Sequence, residues 1–325
     1  MSIAAESPAQ APTWSHARGS LALGEPRVMA IVNATPDSFF DGGNLLPPGA
    51  DDPNASVAVR LCRGYCQHGA EILDVGGEST RPGSLPVPPE IELRRVLPII
   101  RGLATDPELM PAVISVDTRR AAVAAAAIDA GAAIINDVSG LADPEMASVA
   151  AATGAGLVIG HLRGEPATMM QDVRFERLLP EVAGELGRAV ERALRAGVAL
   201  EKIAVDPGVG FGKTAEQSAA LVAAADYLMD AIGCPVVIGA SRKAFLGTIT
   251  GRPVQDRLLP SVVAAVLAAL HGAAVVRVHD VGPTADPPCD PDGERPGVIL
   301  AGAIFSGANL RRAHLRGVYL PGGDF

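Results

Sequence analysis

Eight short apolar runs recur along this chain of 325 residues, and each closes on a polar side chain. They are "VMAIVN" to Asn33, "AEILDVGGE" to Glu78, "AVISVD" to Asp117 and "AAIIND" to Asp137. "GLVIGH" to His161, "KIAVD" to Asp206, "CPVVIGAS" to Ser241 and "AVVRVHD" to Asp280 complete the set. Between most of them lie Ala-, Leu- and Arg-rich stretches with helical spacing, such as "RAAVAAAAIDAGA" and "LPEVAGELGRAVERALRAG". Continuous apolar strands alternating with helices predict a parallel sheet buried on both faces, and eight of them predict an α/β (β/α)8 TIM barrel. A doubly wound sheet is the alternative, but no G-x-G-x-x-G follows the first run.

In a barrel the C-terminal ends of all strands converge on one face, where the active site sits. Asn33, Asp74, Asp117, Asn136, His161, Asp206, Ser241, Arg277 and His279 all fall at or near those ends. Helix capping explains any one of them, but not polar groups at nearly every strand end. One shared pocket is the simpler reading. The composition, 48% hydrophobic and only 3% aromatic, fits a core of Ala, Val, Leu and Ile. A net charge of −9 argues against broad nucleic-acid binding, though not against a local cationic pocket. Four cysteines without C-x-x-C spacing read as reduced thiols. With no signal-peptide pattern and no membrane-length apolar stretch, the expectation is a soluble cytoplasmic protein.

The connecting motifs carry chemistry. "NATPDSFFDGG" (33–43) has turn formers around two aromatics, the make-up of a loop that closes over something. "GGESTRPGS" (76–84) sets hydroxyls and a guanidinium on a Gly/Pro-punctuated loop, suited to an anion. "DPGVGFGKT" approaches a phosphate-binding loop, but Pro207 occupies the first glycine position. "GASRKAF" lacks the final glycine of a nucleophile elbow and instead offers Arg242 and Lys243, with Arg242 read as a solvated basic turn. In "VVRVHD", Arg277 and His279 alternate with Val276 and Val278 and so share one side of the last strand; an anion there would justify both.

Taken in order, these motifs together with "HLRGEPATM" closely resemble dihydropteroate synthases of the pterin-binding barrel family, over roughly Val28 to Val281. The resemblance implies condensation of 6-hydroxymethyl-7,8-dihydropterin diphosphate with 4-aminobenzoate in folate biosynthesis. It assigns Asp117, Asn136, Asp206 and Lys243 to the pterin and Arg277, Val278 and His279 to the diphosphate region. Thr80, Arg81, Pro82, Phe211 and Ser241 fall to the aminobenzoate side, and Asn33 to a Mg2+ ion. Asp117, Lys243, Arg277 and His279 are the expected catalytic set. A methyltransferase of the same barrel family would need no diphosphate site, and a non-catalytic pterin binder would not need the full ionisable set.

The sequence departs from the resemblance in places. Leu162 stands where Met is typical and Ser218 where Asn is usual. After the last strand, "GPTADPPCDPDGERPG" is too Pro-rich for an ordinary eighth helix. Phe305, Leu310, Leu315, Leu320 and Phe325 then recur every five residues, which resembles a pentapeptide repeat. The expected organisation is an N-terminal extension (1–24), the barrel (25–282), a linker (283–298) and a pentapeptide-repeat-like tail (299–325). The resemblance also implies a homodimer, and the Pro-rich stretch replaces part of the surface that would build it.

Overall fold

The computed structural model describes residues 12–35, 45, 52–81 and 83–285. All eight expected strands are present: β3 (Arg27–Asn33), β4 (Ile72–Gly76), β5 (Val113–Asp117), β6 (Ile134–Asp137), β7 (Gly156–Gly160), β8 (Ile203–Asp206), β9 (Val237–Ile238) and β10 (Val275–Val278). They form one parallel sheet in the order β8-β7-β6-β5-β4-β3-β10-β9, and a Val205–Val236 bridge joins its two ends into a barrel. The outer ring is α1 (Ala55–Gln67), α2 (Pro89–Ala104), α3 (Ala121–Ala130), α4 (Met146–Thr153), α5 (Leu178–Arg195), the pair α6 (Ala215–Val222) and α7 (Ala225–Ile232), and the pair α8 (Ala244–Thr250) and α9 (Leu258–Leu270). Local chemistry sets the ends of these helices. In α6, Thr214 accepts from the Gln217 amide while the Gln217 side chain accepts from the Thr214 amide, a reciprocal capping box.

Strand alternation divides the barrel into two cores. One set of residues packs outward against the helices, Val116, Ile135, Leu157, Val205, Val276 and Val278 among them. The other set forms the barrel floor: Met29, Ile72, Val113, Ile134, Val158, Ala204, Val237 and Val275. Trp14 is fully buried among the floor residues.

That tryptophan belongs to an antiparallel hairpin of β1 (Thr13–His16) and β2 (Gly19–Ala22). The hairpin lies within the stretch read from sequence as a plain N-terminal extension, and it seals the bottom of the barrel. The indole Nε1 donates to the Lys202 carbonyl at 2.9 Å, and Gly156 lies against the main chain of Ser15. Trp14→Ala should cost about 3–5 kcal/mol and lower the melting temperature by roughly 10 °C, with turnover at 25 °C little changed. Thermal denaturation alongside an activity assay checks this.

After β10 the chain makes one short helix, α10 (Val281–Ala285), which takes in the first residues assigned to the linker. Pro283 sits in its opening turn, where a missing N–H leaves no helical bond unmade. The rest of the linker, the repeat-like tail, Pro82 and the stretch 36–44 with Phe39 and Phe40 lie outside the described residues. Among the described residues no helix is long and apolar enough to cross a membrane.

Candidate active site

One step of two residues above the floor, the inward positions turn polar. Ile72 is followed by Asp74, Val113 by Ser115, Ile134 by Asn136, Ala204 by Asp206 and Val275 by Arg277. The period of two that buries the apolar set therefore delivers this polar layer to the C-terminal half of the barrel.

Arg277 ties the layer together. Its Nε donates to Asp74 Oδ2 and its Nη2 to Asp117 Oδ2, both at 2.6 Å. Asn136 Nδ2 donates to the same Asp74 oxygen at 2.9 Å. Burial opposes the guanidinium's charge, yet the two carboxylates hold its pKa above the ordinary arginine value. Burial pushes the Asp117 carboxyl upward against the pull of Arg277, and the neighbouring Asp74 charge adds to the rise. Asp74 Oδ1 and Ser115 Oγ are buried without a hydrogen-bond partner among the described residues.

Lys243 approaches from the strand β9 side. Its ammonium donates to the Val209 carbonyl and lies 4.3 Å from the centre of the Phe211 ring. Burial lowers its pKa to about 8, with Asp206 opposing the shift and Arg277 adding to it. The turn that carries Phe211 follows β8. Gly208 there has φ +68°, and a Cβ would fall 1.9 Å from the His161 carbonyl oxygen, so only glycine fits.

His279 closes the cationic side. Its Nδ1 lies 3.1 Å from Ser241 Oγ, and that hydroxyl also accepts from the His279 amide at 3.2 Å. Burial, then Arg277, Arg242, Arg81 and Lys243, depress its pKa to about 3. The imidazole is thus neutral in the free protein, first because it is buried and then because four cations surround it. Arg242 is not a solvated basic turn: it holds φ +57°, pairs with Asp280 at 2.7 Å and takes Ser261 Oγ onto its amide at 2.9 Å. A non-glycine residue held there by two partners marks a tightly determined backbone.

The loop after β4 is pinned through Glu78. Arg120 Nη1 donates to it at 2.6 Å, Arg119 at 3.3 Å, and Glu78 Oε1 accepts from the Val87 amide at 3.2 Å. Burial opposes ionisation of Glu78, but these two arginines bring its pKa below the usual value. Arg120 also reaches Glu92, which is fully buried. Neither arginine was singled out from sequence.

The layer opens into a cavity of about 410 Å3 at the barrel mouth. Asn33, Thr80, Arg81, Asp117, Phe211, Ser241, Lys243, Arg277 and His279 line it. Asn136 and Asp206 do not. Asn136 is buried and bonded to Asp74, and Asp206 Oδ1 accepts from the Gly208 amide at 2.7 Å. Val278 contributes no side chain to the cavity, since alternation turns it outward into the helix-facing core while Arg277 and His279 turn inward. Lys213, which the sequence sets beside the pocket on the same turn as Asp206 and Phe211, lines the cavity as well. Asp74, an acid near a strand end, is the buried partner of Arg277 and Asn136. What the sequence does not indicate is the burial of Lys213.

Among the described residues no group of three or more His, Cys, Asp or Glu could hold a metal ion. Asn33 does offer a hard amide oxygen at the end of β3; its Oδ1 lies beside the bare backbone of Gly76, as does Asp117. That donor set fits Mg2+ carried in on phosphate oxygens with water, rather than a resident ion in a protein cage.

An acid-and-amide layer under a crowd of cations, at the C-terminal mouth of a (β/α)8 barrel, defines an enzyme pocket for a nitrogen-rich ring bearing an anionic group. A family model described as pterin binding enzyme matches residues 29–279, and one described as pentapeptide repeats (8 copies) matches 297–325. The chain is 42% identical over 254 residues to the probable bifunctional folylpolyglutamate synthase/dihydropteroate synthase of Haloferax volcanii, a match over 78% of this chain and 29% of that protein. It is 40% identical to the dihydropteroate synthase of Mycobacterium leprae, over 82% of this chain and 92% of that one. Its fold superposes with a TM-score of 0.76 on Xanthomonas albilineans dihydropteroate synthase with 4-aminobenzoic acid, at 39% identity over 85% of this chain and 95% of that one. The chain belongs to the pterin-binding enzyme family, among its dihydropteroate synthases.

Proposed function

We propose that this pocket condenses 6-hydroxymethyl-7,8-dihydropterin diphosphate with 4-aminobenzoate, giving 7,8-dihydropteroate and diphosphate. The observation that carries the reading is Arg277: it spans the two buried carboxylates of the layer and stands among the cations that keep His279 neutral. The pterin ring presents paired N–H donors to carboxylates and acceptors to an amide or ammonium, which suits Asp117 and Lys243 at the cavity wall with Asp206 and Asn136 behind them. The diphosphate lies toward Arg277 and His279, and Val278 serves there through its main chain. Mg2+, held by Asn33 and the phosphates, would supply further positive charge to the leaving group.

The amine nitrogen of the acceptor attacks the exocyclic methylene carbon of the pterin. The carbon–oxygen bond to the diphosphate breaks, and its electron pair leaves with the diphosphate. The new secondary amine then releases one proton to solvent. Arg277 and His279 stabilise the charge gathering on the departing oxygens, while the Asp117 carboxylate faces positive charge shared by the dihydropterin. Thr80, Arg81, Phe211 and Ser241 frame the acceptor.

A homodimer and a cytoplasmic location complete the reading. Exposed Ile249, Leu258 and Leu259 on α8 and α9 support a self-association surface, and the thiols of Cys62, Cys66 and Cys234, which form no disulfide among the described residues, suit a reducing compartment. The test is diphosphate release by the purified full chain with Mg2+ and the pterin diphosphate, with and without 4-aminobenzoate. Release that needs both substrates supports the reading. A folded protein that binds the pterin diphosphate without turnover would make this chain a non-catalytic binder.

A further inference from the structure

Lys213 is a buried cation that the proposed chemistry does not use; only 2% of its surface is exposed. Its Nζ donates to the Phe211 carbonyl at 2.9 Å and to His161 Nδ1 at 3.0 Å. With Nδ1 accepting, the ring proton sits on Nε2, which donates to Glu185 Oε2 at 2.9 Å. Burial, aided by Lys213 itself, holds the His161 pKa down to about 4, so the imidazole remains neutral and free to accept. A line of three side chains therefore runs from α5, through the end of β7, to the turn after β8.

Within that turn the Phe211 amide donates to the Gly208 carbonyl at 3.0 Å and the Gly208 amide to Asp206 Oδ1 at 2.7 Å. Gly208, Gly210 and Gly212 all adopt left-handed φ, of +68°, +78° and +58°. Three further bonds anchor it: Lys243 onto the Val209 carbonyl, the Gly210 amide onto Ser218 Oγ at 3.2 Å, and Lys213 onto the Phe211 carbonyl. Of the two lysines, only Lys213 holds the main chain of Phe211 itself. It faces Asp206, Lys243, Arg163 and Glu185, as well as His161. Burial beside two other cations, only balanced by two acids, is an unfavourable place for an ammonium unless its bonds are needed.

We propose that Lys213, held in place by His161 and Glu185, is a positioning residue for the aromatic acceptor: it fixes the 207–212 turn and with it the place of the Phe211 ring. The inference rests on the assignment of Phe211 to the acceptor side of the pocket. It gives a role to Glu185, a helix residue that does not line the cavity.

The test measures the KM for 4-aminobenzoate and the Kd for the pterin diphosphate in four variants of the full chain. Phe211→Ala establishes the acceptor assignment; if its aminobenzoate KM is unchanged, that assignment fails whatever Lys213 does. Lys213→Met keeps the aliphatic stem and should raise the aminobenzoate KM about tenfold, the loss of one hydrogen bond from a charged donor, with the pterin diphosphate Kd within about twofold. Glu185→Ala should shift the same KM in the same direction by about threefold, because the relay loosens without losing its last member. Glu181→Ala removes another partner of Arg163 but none of His161, and should leave both constants at the wild-type value. A Phe211→Ala effect with unchanged KM in Lys213→Met and Glu185→Ala would overturn the proposal. So would parallel losses of acceptor and pterin binding, which mark general damage to the barrel. Should Lys213→Met fail to fold, Glu185→Ala decides the matter alone.

Discussion

Arg277→Met is expected to reduce diphosphate release by at least about a hundredfold and to destabilise the fold by about 3–5 kcal/mol. The two effects have one cause. Asp74 is fully buried and Asp117 nearly so, and the guanidinium bonds to both. Without it, two like charges stay close together in a dry site. Asp74 keeps its bond from Asn136, so Asp117 is the carboxyl that must give way by taking a proton. Its folded pKa already lies above the unfolded value of 3.8, and losing Arg277 raises it further. The folded state then binds more protons than the unfolded state between that unfolded value and the raised one. Wild-type Asp117 already takes its proton as pH falls through about 7. The variant should consequently gain stability relative to wild type as pH falls from well above 7 toward 7, and change little relative to it below that. Adding Asp117→Asn should recover much of the lost melting temperature at pH 7 while leaving turnover absent. Thermal denaturation of the three proteins across that pH range checks the stability side. A single variant that loses turnover at an unchanged melting temperature would mean that Arg277 serves the leaving group alone and not the buried acids.

That dual role explains why part of the site could be read in the sequence and part could not. Continuous apolar runs ended by Asn33, Asp117, Ser241 and the Arg277–His279 pair are a local signal, because a buried parallel strand must be apolar and its end must do something else. Alternation alone placed Arg277 and His279 on one side. The same alternation turns the Val278 side chain outward and leaves only its main chain toward the site. Asn136 and Asp206 have inward positions, but Asn136 spends its side-chain donor on Asp74 and Asp206 an acceptor on Gly208, so they stand behind the cavity wall rather than in it. The hairpin at 13–22 was illegible for a different reason. Four-residue strands outside a strand–helix rhythm carry little signal, and what stabilises them is Trp14 filling a floor made by eight distant strands. Arg119 and Arg120 look like any basic helix entry until β4 and β5 lie side by side and bring Glu78 to them. Ser218, a departure from the family pattern, takes the Gly210 amide and so supports the turn after β8.

Lys243→Met carries the second large effect, and its sign depends on which property is measured. The ammonium touches Val209, stacks on Phe211 and faces Asp206, so its loss should reduce kcat/KM for the pterin diphosphate by about a hundredfold, as for removal of one charged contact that strengthens toward the transition state. In wild type the folded pKa near 8 means that the charge is already leaving just above neutral pH. Activity should therefore decline as pH rises through about 8. Stability should respond in the opposite direction. The unfolded chain keeps its lysine protons up to about 10.4, so between pH 8 and that value it binds more protons than the folded protein and folding becomes more favourable. Lys213, lowered to about 7 by burial and in part by Lys243, rises when Lys243 is removed and so shifts the same difference in the same direction. Over pH 8 to 10, wild type should lose its activity advantage over the variant while its stability relative to the variant rises. If both quantities keep a constant ratio across that range, Lys243 is not the group that titrates, and burial at the mouth of the barrel is less complete than the packing of its ammonium against Phe211 implies.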